Sequence, residues 1–136
     1  MTGRYFVDSN VWIYQLSDDE PAKKERAGES LASMRHKVIS WQVVNEVCAN
    51  LIRKKGRDEV FVRFAISFML DSCELAAFSQ EMLENASDLR ARHSVSFWDS
   101  LVVAAALEAG CDFLVSEDMQ DGKRFGALQV KNLFAC

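Results

Sequence analysis

Short apolar runs with strand character recur along the chain, separated by stretches long enough for helices of ten or more residues. Tyr5-Phe6-Val7, Lys37–Ser40 and Phe113-Leu114-Val115 are such runs, with a weaker one at Glu74–Phe78 and another at Leu128–Leu133. Strands joined by helical crossovers, and not by two-residue turns, lie parallel, and a parallel sheet is covered on both faces. The expected fold is therefore α/β: a three-layer α/β/α sandwich around a parallel sheet of four to five strands, with Leu128–Leu133 at an edge. At 136 residues the chain is expected to form one domain, 1–136.

The helices have legible boundaries. Ser17-Asp18-Asp19-Glu20-Pro21 opens one that runs to about Met34, with proline near the first helical position. Ser40 caps the next, whose apolar stripe is Val43, Val44, Val47 and Leu51 and which Gly56 ends. Asp58, Ser79 and Ser96 open three more, the last stopped by Gly110. The segment Asp58–Leu70 is apolar over most of its circumference, broken mainly by Arg63 and Ser67. A surface helix needs a polar face, so this one is either core or meets a partner; a homodimer through it and the end of the helix that carries Glu46 is expected.

Sixteen basic against twenty acidic residues give a net charge of −4. That excludes a generic polycationic nucleic-acid coat and leaves room for a local basic groove. Cys48, Cys73, Cys111 and Cys136 are scattered and far from His36 and His93, so zinc-ligand spacing is missing and free thiols in a reducing compartment are expected. The N-terminus has no secretory pattern, and the longest apolar run, Leu101–Leu107, is too short for a bilayer. A cytoplasmic protein with no membrane contact is expected.

In open α/β sheets, ligands collect beyond the carboxyl ends of the strands. Asp8 follows Tyr5–Val7. Asp118 follows Phe113–Val115 by a few residues, with Ser116, Glu117 and Asp121 close by. Glu46 lies about two turns into the helix after the second strand, and Asp99 in the first turn of the helix that begins at Phe97. Taken singly, Asp99 reads as a capping residue in Ser96-x-x-Asp99, Asp8 as a turn residue, Asp118 as loop polarity and Glu46 as the solvent edge of a stripe. Taken together they place four carboxylates at one end of the sheet. Two such charges 4 Å apart repel by about 4 kcal/mol at an effective dielectric near 20. A hard cation, Mg²⁺ or Mn²⁺, would offset that repulsion.

The ordered set is similar to the PIN-domain family. Asp8-Ser9-Asn10-Val11-Trp12-Ile13-Tyr14 resembles its opening motif, Glu46 its second acid, and Phe97-Trp98-Asp99 with Leu101–Ala106 its third-acid helix. Gly110-Cys111-Asp112-Phe113-Leu114-Val115-Ser116-Glu117-Asp118 resembles its fourth-acid strand and loop, with serine at 116 where threonine is frequent. Within the family, single-domain VapC-type toxins of bacterial toxin–antitoxin pairs are the most similar group. The resemblance implies an endoribonuclease that cleaves RNA with metal-activated water and leaves 5′-phosphate and 3′-hydroxyl ends, with an antitoxin protein as partner. Asp8 and Asp99 would be the principal ligands of Mg²⁺ (or Mn²⁺). Glu46 and Asp118 would support them or hold a second ion, and Ser9, Asn10 and Ser116 would steady ligands or phosphate. Whether Glu117 or Asp121 joins the acids is left open.

An acidic site must still attract RNA. Arg53-Lys54-Lys55-Gly56-Arg57 is the densest basic run; its plainer role is to compensate a helix dipole. Arg90 and Arg92 precede Asp99, and Lys123-Arg124 follow Asp118. Trp12, Trp41 and Trp98 are expected in the core, base stacking being the alternative. The competing function is a catalytically inactive PIN-like module that binds RNA or protein. A phosphoacceptor receiver needs a paired acid near strand one, and a haloacid-dehalogenase-type phosphatase needs Asp-x-Asp; Asp8-Ser9-Asn10 supplies neither. A structure-specific DNA nuclease would carry further substrate-gripping elements.

Overall fold

The computed structural model describes residues 2–135. Its elements are β1 (Arg4–Val7), α1 (Ser9–Leu16), α2 (Pro21–Ser33), β2 (His36–Ile39), α3 (Trp41–Arg53), α4 (Glu59–Asp71), β3 (Glu74–Leu75), α5 (Gln80–Arg92), α6 (Phe97–Glu108), β4 (Phe113–Val115), β5 (Arg124–Phe125) and β6 (Leu128–Lys131). The strands lie in the order β3-β2-β1-β4-β6-β5. All pairs are parallel except β5 with β6, which is antiparallel. The α/β architecture is the expected one. The sheet, however, has six strands and is mixed, where four or five parallel strands were expected.

The differences lie in the shortest elements. Leu128–Lys131 is not an edge strand: it runs between β4 and β5. β5 is two residues long and turns back through Gly126 at φ +61°, too short for any periodicity to register. The Glu74–Phe78 segment pairs only at Glu74 and Leu75, and the ladder closes with the Ala76 N–H on the Ile39 carbonyl at 2.8 Å.

Helix starts follow the capping spacing. The side chains of Ser40, Asp58, Ser79 and Ser96 accept from the backbone N–H of Val43, Phe61, Met82 and Asp99. α6 buries every residue from Ser100 to Ala106, which explains its lack of a polar face; it packs on α5 and β4. α1 packs on α2 and α3, and α3 on α4. The core between helices and sheet includes Phe6, Val7, Ile39, Leu114 and Val130, all fully buried.

α4 is buried on one face only, and the open face keeps large apolar side chains. Val62, Ala65 and Met69 are buried while Val60 and Phe64 stand exposed. The core expectation for the tryptophans holds for Trp12, 1% exposed, and fails for Trp41 at 51% and Trp98 at 61%. Trp41 and Trp98 occupy the first turn of α3 and α6, at the end of the element and not along the side that packs. Cys48 and Cys73 are half-buried and Cys111 buried, all three free; burial pushes the Cys111 thiol up to about 12. Cys136 lies outside the described residues. No helix among the described residues is long and apolar enough to cross a membrane.

Candidate active site

The chain lays β2 and β3 on one side of β1, then returns to lay β4 on the other. Helices diverge at such a reversal and leave a crevice beyond the carboxyl ends of the two central strands. Val7 pairs with Val115, and the Asp8 N–H donates to the Val115 carbonyl at 2.9 Å. Asp8 and Ser116 therefore leave the sheet side by side.

Asp8 is 3% exposed and caps α1. Its Oδ1 accepts from the Ser9 N–H at 2.8 Å, and its Oδ2 accepts from the Ser116 hydroxyl at 2.8 Å. The Ser116 oxygen in turn accepts from the Asp118 N–H at 3.1 Å. One buried hydroxyl thus ties the acid after β1 to the backbone of the acid after β4. Burial pushes the Asp8 carboxyl up to about 6; those hydrogen bonds oppose the rise, and the charges of Asp118 and Asp99 add to it.

Glu46 lies half-buried in the second turn of α3. Burial and then the charge of Asp8 push it up to about 7, with Asp99 and Asp118 adding and a hydrogen bond from Gln42 opposing. Asp99 is raised by burial, against the Ser96 hydroxyl, and by Asp118. The charge of Asp118 thus reaches Asp8, Glu46 and Asp99, and the charges of Asp8 and Asp99 reach Glu46. A set of carboxylate oxygens raised first by burial and then by neighbouring charge has the hard-donor chemistry that suits Mg²⁺ or Mn²⁺ better than a softer ion. Among the described residues, no group of three or more His, Cys, Asp or Glu side chains is placed so that it could hold a metal ion.

The neighbouring polar residues divide into several roles. Asn10 Oδ1 accepts from the Glu117 N–H at 3.2 Å, while its Nδ2 is buried without a partner. Glu117 receives Lys23 Nζ at 2.6 Å on Oε2 and the Tyr14 hydroxyl on Oε1. Burial alone would raise its carboxyl, but these two donors outweigh that and lower it. Asp121 Oδ1 accepts from the Asn132 N–H at 2.9 Å and braces the segment after β6. Lys23 was invisible to sequence reasoning: it is 94 residues from its partner, and no motif marks it; Tyr14 ends the opening motif, which gives no sign of its bond to Glu117.

A cleft of about 250 Å³ opens along Ser96, Asp99, Asp118, Met119, Lys123 and Phe125, so Lys123 shares a wall with two of the acids. Arg90 sits against the first turns of α6, donating to the Ser100 hydroxyl at 2.6 Å and lying 4.7 Å over the Phe97 ring. Arg92 pairs with Asp88 at 3.4 Å and lines a different cleft beside His93. The basic run divides: Lys55 pairs with Asp19, the Arg57 guanidinium lies 3.5 Å from the Phe61 ring centroid, and Arg53 and Lys54 stay exposed. Lys54 is about 12 Å along the helix from Glu46 at 1.5 Å per residue.

A family model described as the PIN domain matches residues 5–124. A search of curated proteins returns no match. Among solved structures, a toxin–antitoxin complex from Klebsiella pneumoniae has a TM-score of 0.73 at 17% identity, covering 97% of this chain and 99% of that one. VapC20 from Mycobacterium tuberculosis, described as a sarcin-ricin loop cleaving toxin, has a TM-score of 0.69 at 22% identity over 81% of this chain and 86% of that one. VapBC2 from Rickettsia felis, bound to a DNA fragment from its promoter, has a TM-score of 0.69 at 17% identity over 94% and 97%. At these identities the likeness is one of fold. The match of the family model over most of the chain settles the classification: the chain belongs to the PIN-domain family.

Proposed function

We propose that this protein is a metal-dependent endoribonuclease and the toxin of a bacterial toxin–antitoxin pair. The observation that carries the reading is the convergence of Asp8, Glu46, Asp99 and Asp118 at the carboxyl ends of β1 and β4, each of the first three raised in pKa by the charge of at least one other. Perturbed acids concentrated in one crevice mark functional sites. Asp8 and Asp99 would hold Mg²⁺ or Mn²⁺, with Glu46 and Asp118 completing the set. A bound divalent cation would supply Lewis-acid neutralisation of the scissile phosphate and a water of lowered pKa.

The remaining work falls to the chain's own residues. Ser116 holds Asp8 Oδ2 in place, and the Ser9 N–H holds Oδ1. Asn10 holds the Glu117 backbone through its Oδ1 and so steadies the loop that carries Asp118. Lys123 and Arg90 are the cations best placed to draw in a phosphodiester backbone. A histidine acid–base mechanism has no support: His36 begins β2, at the opposite end from the acids, and His93 stacks edge-on with Phe125. The likeness in fold to structures of toxin–antitoxin complexes supports an antitoxin as partner, and the exposed Val60 and Phe64 on α4 support a homodimer.

The test is RNA cleavage by the purified protein with and without Mg²⁺, with the ends mapped. Metal-dependent cleavage leaving 5′-phosphate and 3′-hydroxyl ends, abolished by Asp99→Asn, is expected. Metal-independent cleavage leaving cyclic phosphates would overturn the reading; RNA binding without cleavage would favour the binding module.

A further inference from the structure

Three large aromatic side chains stand open at the start of the two helices that carry Glu46 and Asp99. Trp41 is the first residue of α3, and Phe97 and Trp98 are the first two of α6. Their exposures are 51%, 51% and 61%. Tryptophan is seldom left this open in a soluble protein, and the helix starts are neighbours: Gln42 Nε2 donates to the Trp98 carbonyl at 3.4 Å. Phe97 is already engaged, with the Arg90 guanidinium over its ring and Trp98 perpendicular to it at 5.0 Å between centroids. It therefore acts as a wedge that sets Trp98. Among the described residues, Trp41 and Trp98 have no aromatic or cationic partner of this kind beyond that one contact.

Resting on the nuclease reading of the acid crevice, we propose that Trp41 and Trp98 are the stacking platforms on which this chain seats unpaired bases of its RNA. Every base has a π-face, so such platforms grip without reading sequence, and they work only on bases freed from a duplex. The surroundings favour a nucleic acid over a protein. Gln42 and the Arg90 guanidinium stand beside the rings, and Asp99, the residue after Trp98, lines a cleft with the cation of Lys123. The apolar surface of α4, with Val60 and Phe64, offers a second copy of the chain a more continuous face.

The experiment uses the Asp8→Asn protein, which should not turn substrate over, and two unlabelled probes: a short mixed-sequence single-stranded RNA and the same strand annealed to its complement. Trp12 is buried, so quenching of tryptophan fluorescence reports Trp41 and Trp98. The single strand is expected to quench and the duplex to bind far more weakly. Trp41→Ala and Trp98→Ala are each expected to weaken single-strand binding by roughly five- to a hundredfold, the range for loss of one stacked base. Trp98→Phe, which keeps a ring, is expected to restore most of it. Unchanged thermal melting of these exposed-site variants confirms that they fold.

Equal affinity of the alanine variants and the parent, equal binding of duplex and single strand, or no binding of the single strand overturns the proposal. So does a dimer that Trp98→Ala splits into monomers which bind RNA as the parent does, because the rings would then join copies of the chain. The nuclease reading is judged separately with the native carboxylates and Mg²⁺. Cleavage with KM unchanged by the tryptophan substitutions overturns the stacking proposal alone. Tryptophan-dependent binding without cleavage supports the stacking proposal and overturns the nuclease.

Discussion

Asp8 is the residue on which structure and chemistry meet. It caps α1, anchors the Ser116 hydroxyl and contributes the most buried charge of the acidic set. Burial has moved its carboxyl from 3.8 to about 6, so its ionised form opposes folding at neutral pH. Asp8→Asn keeps an oxygen acceptor and removes that charge. The metal-free variant is expected to melt at a higher temperature than the parent at pH 7, by a gain on the order of 1–3 kcal/mol, while losing RNA cleavage. A lower melting temperature would mean that the two hydrogen bonds outweigh the buried charge. The acids themselves were legible because each stands at a place the backbone pattern marks: after a strand, or in the opening turns of a helix. Trp41 and Trp98 were not, because first-turn side chains are buried or open according to what packs on the helix end, which hydrophobicity does not encode. Glu117 read as a candidate member of the set; its engagement by Lys23 depends on contacts between α2 and the β4 loop that no local signal reports.

At the scale of elements, the long helices and central strands could be read from caps and apolar periodicity, and the two-residue strands could not. β5 and β3 exist because a neighbour offers a ladder, and neither carries enough sequence to show a period. α4 illustrates a further ambiguity: a nearly all-apolar circumference is compatible with a buried helix or with one that meets a partner. The structure leaves Phe64 exposed, whereas Phe68 is half-buried and meets Trp12 edge-on at 6.0 Å. Phe64→Glu is therefore the clean probe. It is expected to cost about 0.5–1.5 kcal/mol through its ring contacts with Phe61 and Phe68 and to convert a dimer to a monomer in sedimentation; a dimer that persists would move the interface elsewhere. At the end of α3, Arg53 and Lys54 are exposed while Lys55 and Arg57 have partners. Replacing Arg53 and Lys54 with alanine is expected to lower the log–log salt slope of single-stranded RNA binding by about 0.7 for each phosphate that these side chains neutralise. An unchanged slope in the Asp8→Asn background would remove this run from the RNA surface.

At the scale of the molecule, the fold brings together charges that the unfolded chain keeps apart. The strand order reverses between β1 and β4, and the fold brings Asp8, Glu46, Asp99 and Asp118 from four distant segments close enough for the charges of some to act on others. For Asp8 and Glu46 the folded pKa values, about 6 and about 7, lie above the unfolded 3.8 and 4.5. The folded state then holds more protons than the unfolded one across that window, and stability falls as pH rises from about 4 to about 7. A cation that binds the ionised set in the folded state alone stabilises by mass action and reverses the trend. Thermal melting across this pH range, with and without Mg²⁺, for the native chain and for Asp8→Asn and Asp99→Asn, tests the central claim most directly. The expected result is a metal-free melting temperature that falls toward pH 7, and a rise with Mg²⁺ at pH 7 that fades on acidification and is lost in both variants. A melting temperature indifferent to Mg²⁺ at pH 7, or an equal Mg²⁺ effect in the native chain and the two variants, would contradict it.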